Sequence, residues 1–199
     1  MPLKSPLENV SDDSNLMSRY QDGDVRAFEE LLNRYEKPIY NFILRSVKDP
    51  SVAEELTQET FMRVIKGAVG FKTKAKVKTW IYTIARNICI DESRRRKHRK
   101  TESLDVSIGS NNDGPTRLEK TANLERDPSD KLQDLEIKKR LNSALERLSD
   151  EQRQAFVLRQ FQELSFKEIA AIEGVSENTV KSRLRYALQK LKTELEDLW

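Results

Sequence analysis

Between Val180 and Leu195, apolar residues recur as Val180, Leu184, Ala187, Leu188, Leu191 and Leu195. Intervals of three and four lay them along one stripe of an α-helix, whereas a half-buried strand needs alternation at two. The same period returns from Asp24 to Arg45 in Phe28, Leu31, Leu32, Tyr35, Ile39, Phe42 and Ile43, with Pro38 a candidate kink. Another helix start falls at Asp49-Pro50-Ser51, where proline suits the first turn and Ser51 with Glu54 reads as a capping box. Its expected buried stripe is Ala53, Leu56, Phe61, Val64 and Ile65. After a break at Gly67 and Gly70, Val77, Trp80, Ile81, Ile84, Ala85 and Ile88 lead into a basic run from Arg94 to Lys100. No segment carries a strand signal, so the expected fold class is all-α.

The periodic segments fall into two groups. From 101 to 128 the chain turns to Ser, Asn, Asp, Gly and Thr with sparse apolar residues, the composition of a flexible linker. This predicts one helical domain over 15–100 and a second over 129–199, with 1–14 a disordered tail rich in Pro, Ser and Asp. The second domain should open on a helix marked by Leu132, Leu135, Leu141, Leu145 and Leu148. A chain of 199 residues, 37% hydrophobic and 35% charged, suits two modest cores better than one large one. A single cysteine, Cys89, and a single histidine, His98, supply neither an internal disulfide nor the usual zinc ligands. Cys89 reads as a packing residue, His98 as a spectator among cations, and no metal or cofactor is expected. No run of about 18 apolar residues is present, so direct membrane insertion is not expected and the expected location is the cytoplasm.

The net charge of +3 is unevenly spread. Residues 1–62 carry 7 basic and 12 acidic side chains, 63–100 carry 13 and 2, 101–150 carry 8 and 11, and 151–199 carry 8 and 8. A positive block inside an otherwise acidic or neutral chain is the footprint of nucleic-acid binding, because neutralising phosphates releases counterions. A basic solvated surface has the same composition.

The segment from Ser165 to Arg183 reads as two short helices about a tight turn. Ser165 with Glu168 forms a capping box, as Ser149 with Gln152 does earlier; Gly174 accommodates a left-handed turn, and Ser176 caps the final helix. Ile169 and Ile172 pack the first helix, small Ala170 permits close crossing, and Val175 and Val180 fill the angle, which is helix-turn-helix grammar. Asn178, Lys181, Ser182, Arg185 and Gln189 then share the opposite face. Such a face suits a major groove: Arg bridges a guanine edge, Asn or Gln an adenine edge, and Lys a phosphate. A helical hairpin with a solvated outer face is the plain alternative.

Upstream, Lys72, Lys74, Lys76 and Lys78 alternate with other residues before Thr79, Trp80, Ile81 and Tyr82, then Arg86, Asn87 and the run from Arg94 and Arg95 onward. Cations that track phosphates beside aromatic groups are the combination used for single strands. Trp80 also shares the stripe of Ile81, Ile84 and Ile88, which makes it a core candidate more than a stacking one. The face Glu54, Glu55, Gln58 and Glu59 is acidic and opposite an apolar stripe; it reads as solvated, or as a dock for a basic protein surface. As a Mg²⁺-holding carboxylate cluster it lacks an accompanying His or Lys and lies apart from the basic block, so no catalysis is expected. A conventional duplex-binding regulator would want a dimerisation stripe, which the sequence does not show.

Three segments in order carry a family resemblance. Ala53-Glu54-Glu55-Leu56-Thr57-Gln58-Glu59-Thr60-Phe61, Thr79-Trp80-Ile81-Tyr82-Thr83-Ile84-Ala85-Arg86-Asn87 and the stretch from Glu168 to Leu188 resemble those of an extracytoplasmic-function (ECF) RNA polymerase sigma factor of the sigma-70 superfamily. Nearly the whole chain is covered. The resemblance implies that Glu55, Gln58 and Glu59 contact the clamp helices of the largest polymerase subunit. It implies −10 element binding by Lys72, Lys74, Lys76, Lys78, Thr79, Trp80, Arg86, Asn87, Arg94 and Arg95, with a flipped base held by the loop before Trp80. It implies −35 element binding by Ser176, Asn178, Thr179, Lys181, Ser182, Arg183, Arg185 and Tyr186. Glu55 stands where the family usually has Asp, and Lys76 to Lys78 replace a more usual aromatic or Arg. The implied partners are core RNA polymerase, at its clamp helices and flap, promoter DNA and an anti-sigma factor.

Overall fold

The computed structural model describes residues 8–72, 76–102, 140–141 and 143–195. Lys74, Leu132, Leu135 and nearly all of the expected linker lie outside them. The described residues are helical with no strand. The first domain comprises α1 (Glu8–Gln21), α2 (Val25–Val47), α3 (Pro50–Ala68) and α4 (Val77–Glu102). The second comprises helical residues 143–146, α5 (Asp150–Gln160), α6 (Phe166–Glu173) and α7 (Glu177–Glu194).

Three sequence expectations change in the first domain. Residues 8–14 are helical rather than a free tail, because Leu16 and Met17 are buried and the buried Asp13 accepts hydrogen bonds from the Tyr35 hydroxyl and Arg34. Gln21, in the last turn of α1, donates to the carbonyls of Ala68 at 2.7 Å and Phe71 at 2.9 Å and so closes the end of α3. The cap of α3 is Asp49, not Ser51: its carboxylate accepts from the Val52 amide at 3.2 Å, and Pro50 fills the first helical position. Ile65 leaves the core at 37% exposure, since the inward positions of α3 are Ala53, Leu56, Thr57, Thr60, Phe61, Val64 and Ala68. Thr57 and Thr60 are buried without penalty because their hydroxyls donate to the carbonyls of Ala53 and Leu56. α2 runs uninterrupted through Pro38, and its Leu31, Ile39, Phe42 and Ile43 meet Ile81, Tyr82, Ala85 and Ile88 of α4 in one core.

The second domain follows its punctuation closely. Both capping boxes form, Ser149 with Gln152 and Ser165 with Glu168. Gly174 sits at φ 67° in the left-handed region, and Ser176 accepts from the Thr179 amide to start α7. Leu145, Leu148, Leu158, Leu164, Ile169, Ile172, Val180, Leu184, Ala187 and Leu191 form its core. Leu188, expected in that stripe, is 49% exposed because Leu184, Ala187 and Leu191 already span the buried arc. Behind the turn, Arg183 Nη1 reaches Glu173 Oε2 at 2.5 Å, and the Glu173 side chain has no solvent exposure. Burial pushes the Glu173 carboxyl up, while Arg183 pulls it back.

Two stability outcomes follow from these contacts. Asp13→Ala removes the buried acceptor of the Tyr35 hydroxyl and should cost about 1–3 kcal/mol, read as a lower urea midpoint with loss of amide protection in α1. Arg183→Ala strands the buried Glu173 carboxylate and should cost on the order of 3 kcal/mol, read by calorimetry; an unchanged melting profile would contradict a bracing role.

Candidate nucleic-acid interface and docking face

On α7, the residues opposite the core emerge together. Ser176, Asn178, Lys181, Ser182, Arg185, Tyr186 and Gln189 are exposed. Ser176 and Thr179 also serve the cap, with hydroxyls 2.9 Å apart. The Arg185 guanidinium lies 5.2 Å from the centre of the Tyr186 ring, and Lys181 Nζ lies 5.6 Å from that of Phe166, so both cations rest beside aromatic faces near the outer surface. Arg183 stands apart, half-buried and turned to Glu173.

On α3 the outward face presents Glu54, Glu55 and Gln58, with Glu59 held by Arg63 at 2.5 Å one turn on. The same face continues into exposed apolar side chains, Met62, Ile65 and Val69, the last 89% exposed. Sequence reading placed Ile65 inside and passed over Met62 and Val69. Their signal was available in the helical spacing from Glu55 through Glu59, once the inward arc was known.

The basic block divides. Lys72, Asn87, Arg94 and Arg95 are exposed. Buried Glu92 binds Arg96 Nε at 3.0 Å and lies 3.7 Å from Arg95, so part of the run is neutralised within its own helix. Trp80 is half-buried, its ring 4.6 Å from that of Phe71 and tilted 39° to it, and lies over Gly67, where a Cβ would come within 2.9 Å of the indole. Gly67 is therefore the notch that admits the ring, and most of Trp80 is packing. The Thr79 hydroxyl is buried and has no hydrogen-bond partner among the described residues.

Lys76, Lys78 and Arg86 meet the second domain, because α4 packs against α6 and α2 against α5. Lys76 Nζ lies 2.8 Å from Glu168 Oε1, and Lys78 Nζ donates at 2.8 Å to the Gln162 carbonyl. The Tyr82 hydroxyl donates to the Gln162 side chain, Ser93 meets Asp150 at 3.3 Å, and Arg45 lies 4.1 Å over the Phe161 ring. Arg86 is half-buried beside a cavity of about 500 Å³ in this seam, lined also by Cys89, Glu92, Arg153 and Arg183. Burial lowers the pKa of Lys78 and of Arg86, and Glu168 and Glu173 respectively oppose that shift. Burial likewise raises the Glu168 carboxyl, but hydrogen bonds from Lys76 and Ser165 outweigh it and hold its pKa down at about 2. Burial pushes the Cys89 thiol up to about 12, consistent with a packing residue. Gln162, Glu168 and Glu173 were not singled out from sequence as partners of the basic block; Glu168 was legible only as a cap.

Among the described residues there is no cluster of three or more His, Cys, Asp or Glu able to hold a metal ion, and no helix long and apolar enough to cross a membrane. Family models for sigma-70 region 2 and sigma-70 region 4 match residues 31–99 and 138–191. The ECF RNA polymerase sigma factor SigM of Bacillus subtilis is 35% identical over 166 residues, covering 83% of this chain and 93% of its own. The RNA polymerase sigma factor CarQ of Myxococcus xanthus is 29% identical, covering 92% and 97%. Among solved structures, the sigma factor RpoE in complex with the anti-sigma factor NepR from Bartonella quintana aligns with TM-score 0.67 at 27% identity, over 86% of this chain and 98% of that one. CnrH in complex with the cytosolic domain of CnrY aligns with TM-score 0.66 at 19% identity, over 94% and 98%, which is a likeness of fold. With both regions matched in order and relatives spanning most of its length, the chain belongs to the ECF sigma factors of the sigma-70 family, which act in promoter-specific transcription initiation with RNA polymerase.

Proposed function

We propose that this sigma factor holds core RNA polymerase through the outer face of α3, reads the −35 element with α7, and engages and helps melt the −10 element with the basic block at α4. The observation that carries the reading is the segregation of chemistry by face. An acidic and apolar face on α3 and a basic, amide-bearing face on α7 both project outward from helices whose opposite sides are fully buried. Glu55, Gln58 and Glu59 supply the acidic part of the polymerase dock, and Met62, Ile65 and Val69 extend it with apolar area. Polymerase supplies the chemistry of synthesis; this chain supplies binding energy and geometry.

Asn178, Lys181, Ser182, Arg185 and Tyr186 are the −35 candidates whose side chains point outward, with Ser176 and Thr179 at the helix start, where backbone amides suit phosphate. Arg183 contributes by bracing the turn. At the −10 element, Lys72, Lys74, Lys76, Lys78, Arg86, Arg94 and Arg95 neutralise phosphates while Thr79, the edge of Trp80 and Asn87 border the strand. Two domains held apart on one polymerase raise the effective concentration of the second DNA contact once the first is made. The chain is placed in the cytoplasm with its polymerase. An anti-sigma factor is inferred as a further partner from the relative RpoE, whose structure holds one.

The test is reconstitution with bacterial core polymerase, followed by size-exclusion chromatography and run-off transcription. Co-elution and a discrete transcript are expected. Duplex binding without any affinity for core would overturn the reading in favour of a conventional regulator. Charge reversal of the dock, Glu55→Lys with Glu59→Lys, should abolish co-elution while leaving the melting profile intact. Arg185→Ala should weaken −35 recognition by about 1–3 kcal/mol, measured by competition with mutated −35 duplexes in the polymerase complex.

A further inference from the structure

We propose that the cavity between the two domains is a binding site for a small ligand bearing a terminal phosphate, held by the guanidinium groups of Arg86 and Arg153. The site is separate from the outer faces assigned to polymerase and to the −35 element.

The walls are cationic and come from both domains. Of the residues around the cavity of about 500 Å³, five are arginines: Arg86, Arg94 and Arg96 from α4, Arg153 from α5 and Arg183 from α7. Three are carboxylates, Glu92, Asp150 and Glu151. Several of these charges are committed to the fold. Glu92 takes Arg96 at 3.0 Å, Asp150 takes Arg153 Nη2, and Arg183 turns to Glu173 at 2.5 Å. Arg86 and Arg94 enter no ion pair among the described residues. Glu173 and Glu151 reach Arg86 through space.

Hydrogen bonding narrows the choice of ligand. The Nε groups of Arg86 and Arg153 are both buried and meet no acceptor among the described residues. Arg153 is only 6% exposed, which removes it from bulk solvent. Buried donors without an acceptor are uncommon, and two of them on guanidinium groups around one cavity are the complement of an oxyanion. A phosphate meets a guanidinium through two parallel N–H···O bonds, and in the side-on arrangement one of the two donors is Nε. A small rotation of either side chain would bring that edge to an anion in the cavity.

Depth selects the class. A terminal phosphate presents three acceptor oxygens at the end of a molecule and can reach Arg153. An internal phosphodiester carries a sugar on each side, so its strand would have to enter and leave the seam. The volume exceeds that of a phosphate group and lies within the range of about 300–1,000 Å³ usual for small organic ligands. Buried Val47 and Cys89, with Ile90, form an apolar wall for the rest of such a molecule. Because Arg86 belongs to one domain and Arg153 to the other, only the packed arrangement offers both.

The experiment is calorimetric titration of the full chain with inorganic pyrophosphate and, separately, with ATP, without divalent ions and at constant ionic strength in chloride. One saturable site is expected for at least one of the two probes. Arg153→Lys keeps the charge but removes the fork and its Nε, and should weaken binding about tenfold. Arg86→Lys gives the same reading if Arg153→Lys unfolds the chain. Ile90→Trp fills the cavity with every arginine in place and should abolish binding, with the melting profile of each variant showing that it is folded. No saturable binding of either probe by the parent overturns the proposal. So does binding that the lysine variants and Ile90→Trp leave unchanged, which would put the anion on surface cations. A single-stranded oligonucleotide lacking a terminal phosphate that displaces pyrophosphate, with the same dependence on Arg153, would overturn the small-ligand class and give the cavity to nucleic acid.

Discussion

The buried stripe of α4 is the constraint on which the rest depends. Val77, Ile81, Tyr82, Ala85, Ile88 and Cys89 are nearly or wholly inaccessible, and through them the helix is locked against α2 and α3. Because an α-helix turns about 100° per residue, burying one flank sets the direction of every other side chain. Lys78, Arg86 and Ser93 are thereby aimed at the second domain, and Asn87 and Arg94 at solvent. One helix both closes the first core and carries the cationic surface, so the chemistry of the surface cannot be altered independently of the packing.

Three buried carboxylates inside this assembly are matched by donors rather than excluded. Asp13 serves Tyr35 and Arg34, Glu173 serves Arg183, and Glu92 gathers Arg95, Arg96 and Arg99. Each is a carboxylate with little exposure whose charge is held by guanidinium or hydroxyl donors, as low dielectric demands. The distribution has a functional side. Acidic residues inside or beside the basic regions decide which cations remain available to an external anion and which are spent on the fold.

Much of this was legible beforehand where the code is local. Capping boxes at Ser149 and Ser165, the left-handed Gly174 and the stripe of Ile169, Ile172, Val180 and Leu184 act over three or four residues, and each was found where its spacing put it. Errors arose where two neighbouring readings shared the same local signal. Asp49 and Ser51 are both good caps, and Pro50 favours the former; Ile65 and Leu188 lie one step beyond arcs whose width depends on what packs opposite. The helix at Glu8–Gln21 was missed because its buried contribution, Leu16 and Met17, is too short to establish a period and takes its stability from α2.

Sequence by itself determined the helical class, the helix-turn-helix, the outward set on α7 and the acidic face of α3, because period and capping express backbone geometry that needs no distant partner. Tertiary structure alone decided that Trp80 wedges against Phe71 over Gly67, that Arg183 braces Glu173, and that Lys76 and Lys78 meet Glu168 and Gln162. Those pairings join residues as many as 92 positions apart, and a charge carries no mark of which opposite charge it will meet until the packed cores bring the two together.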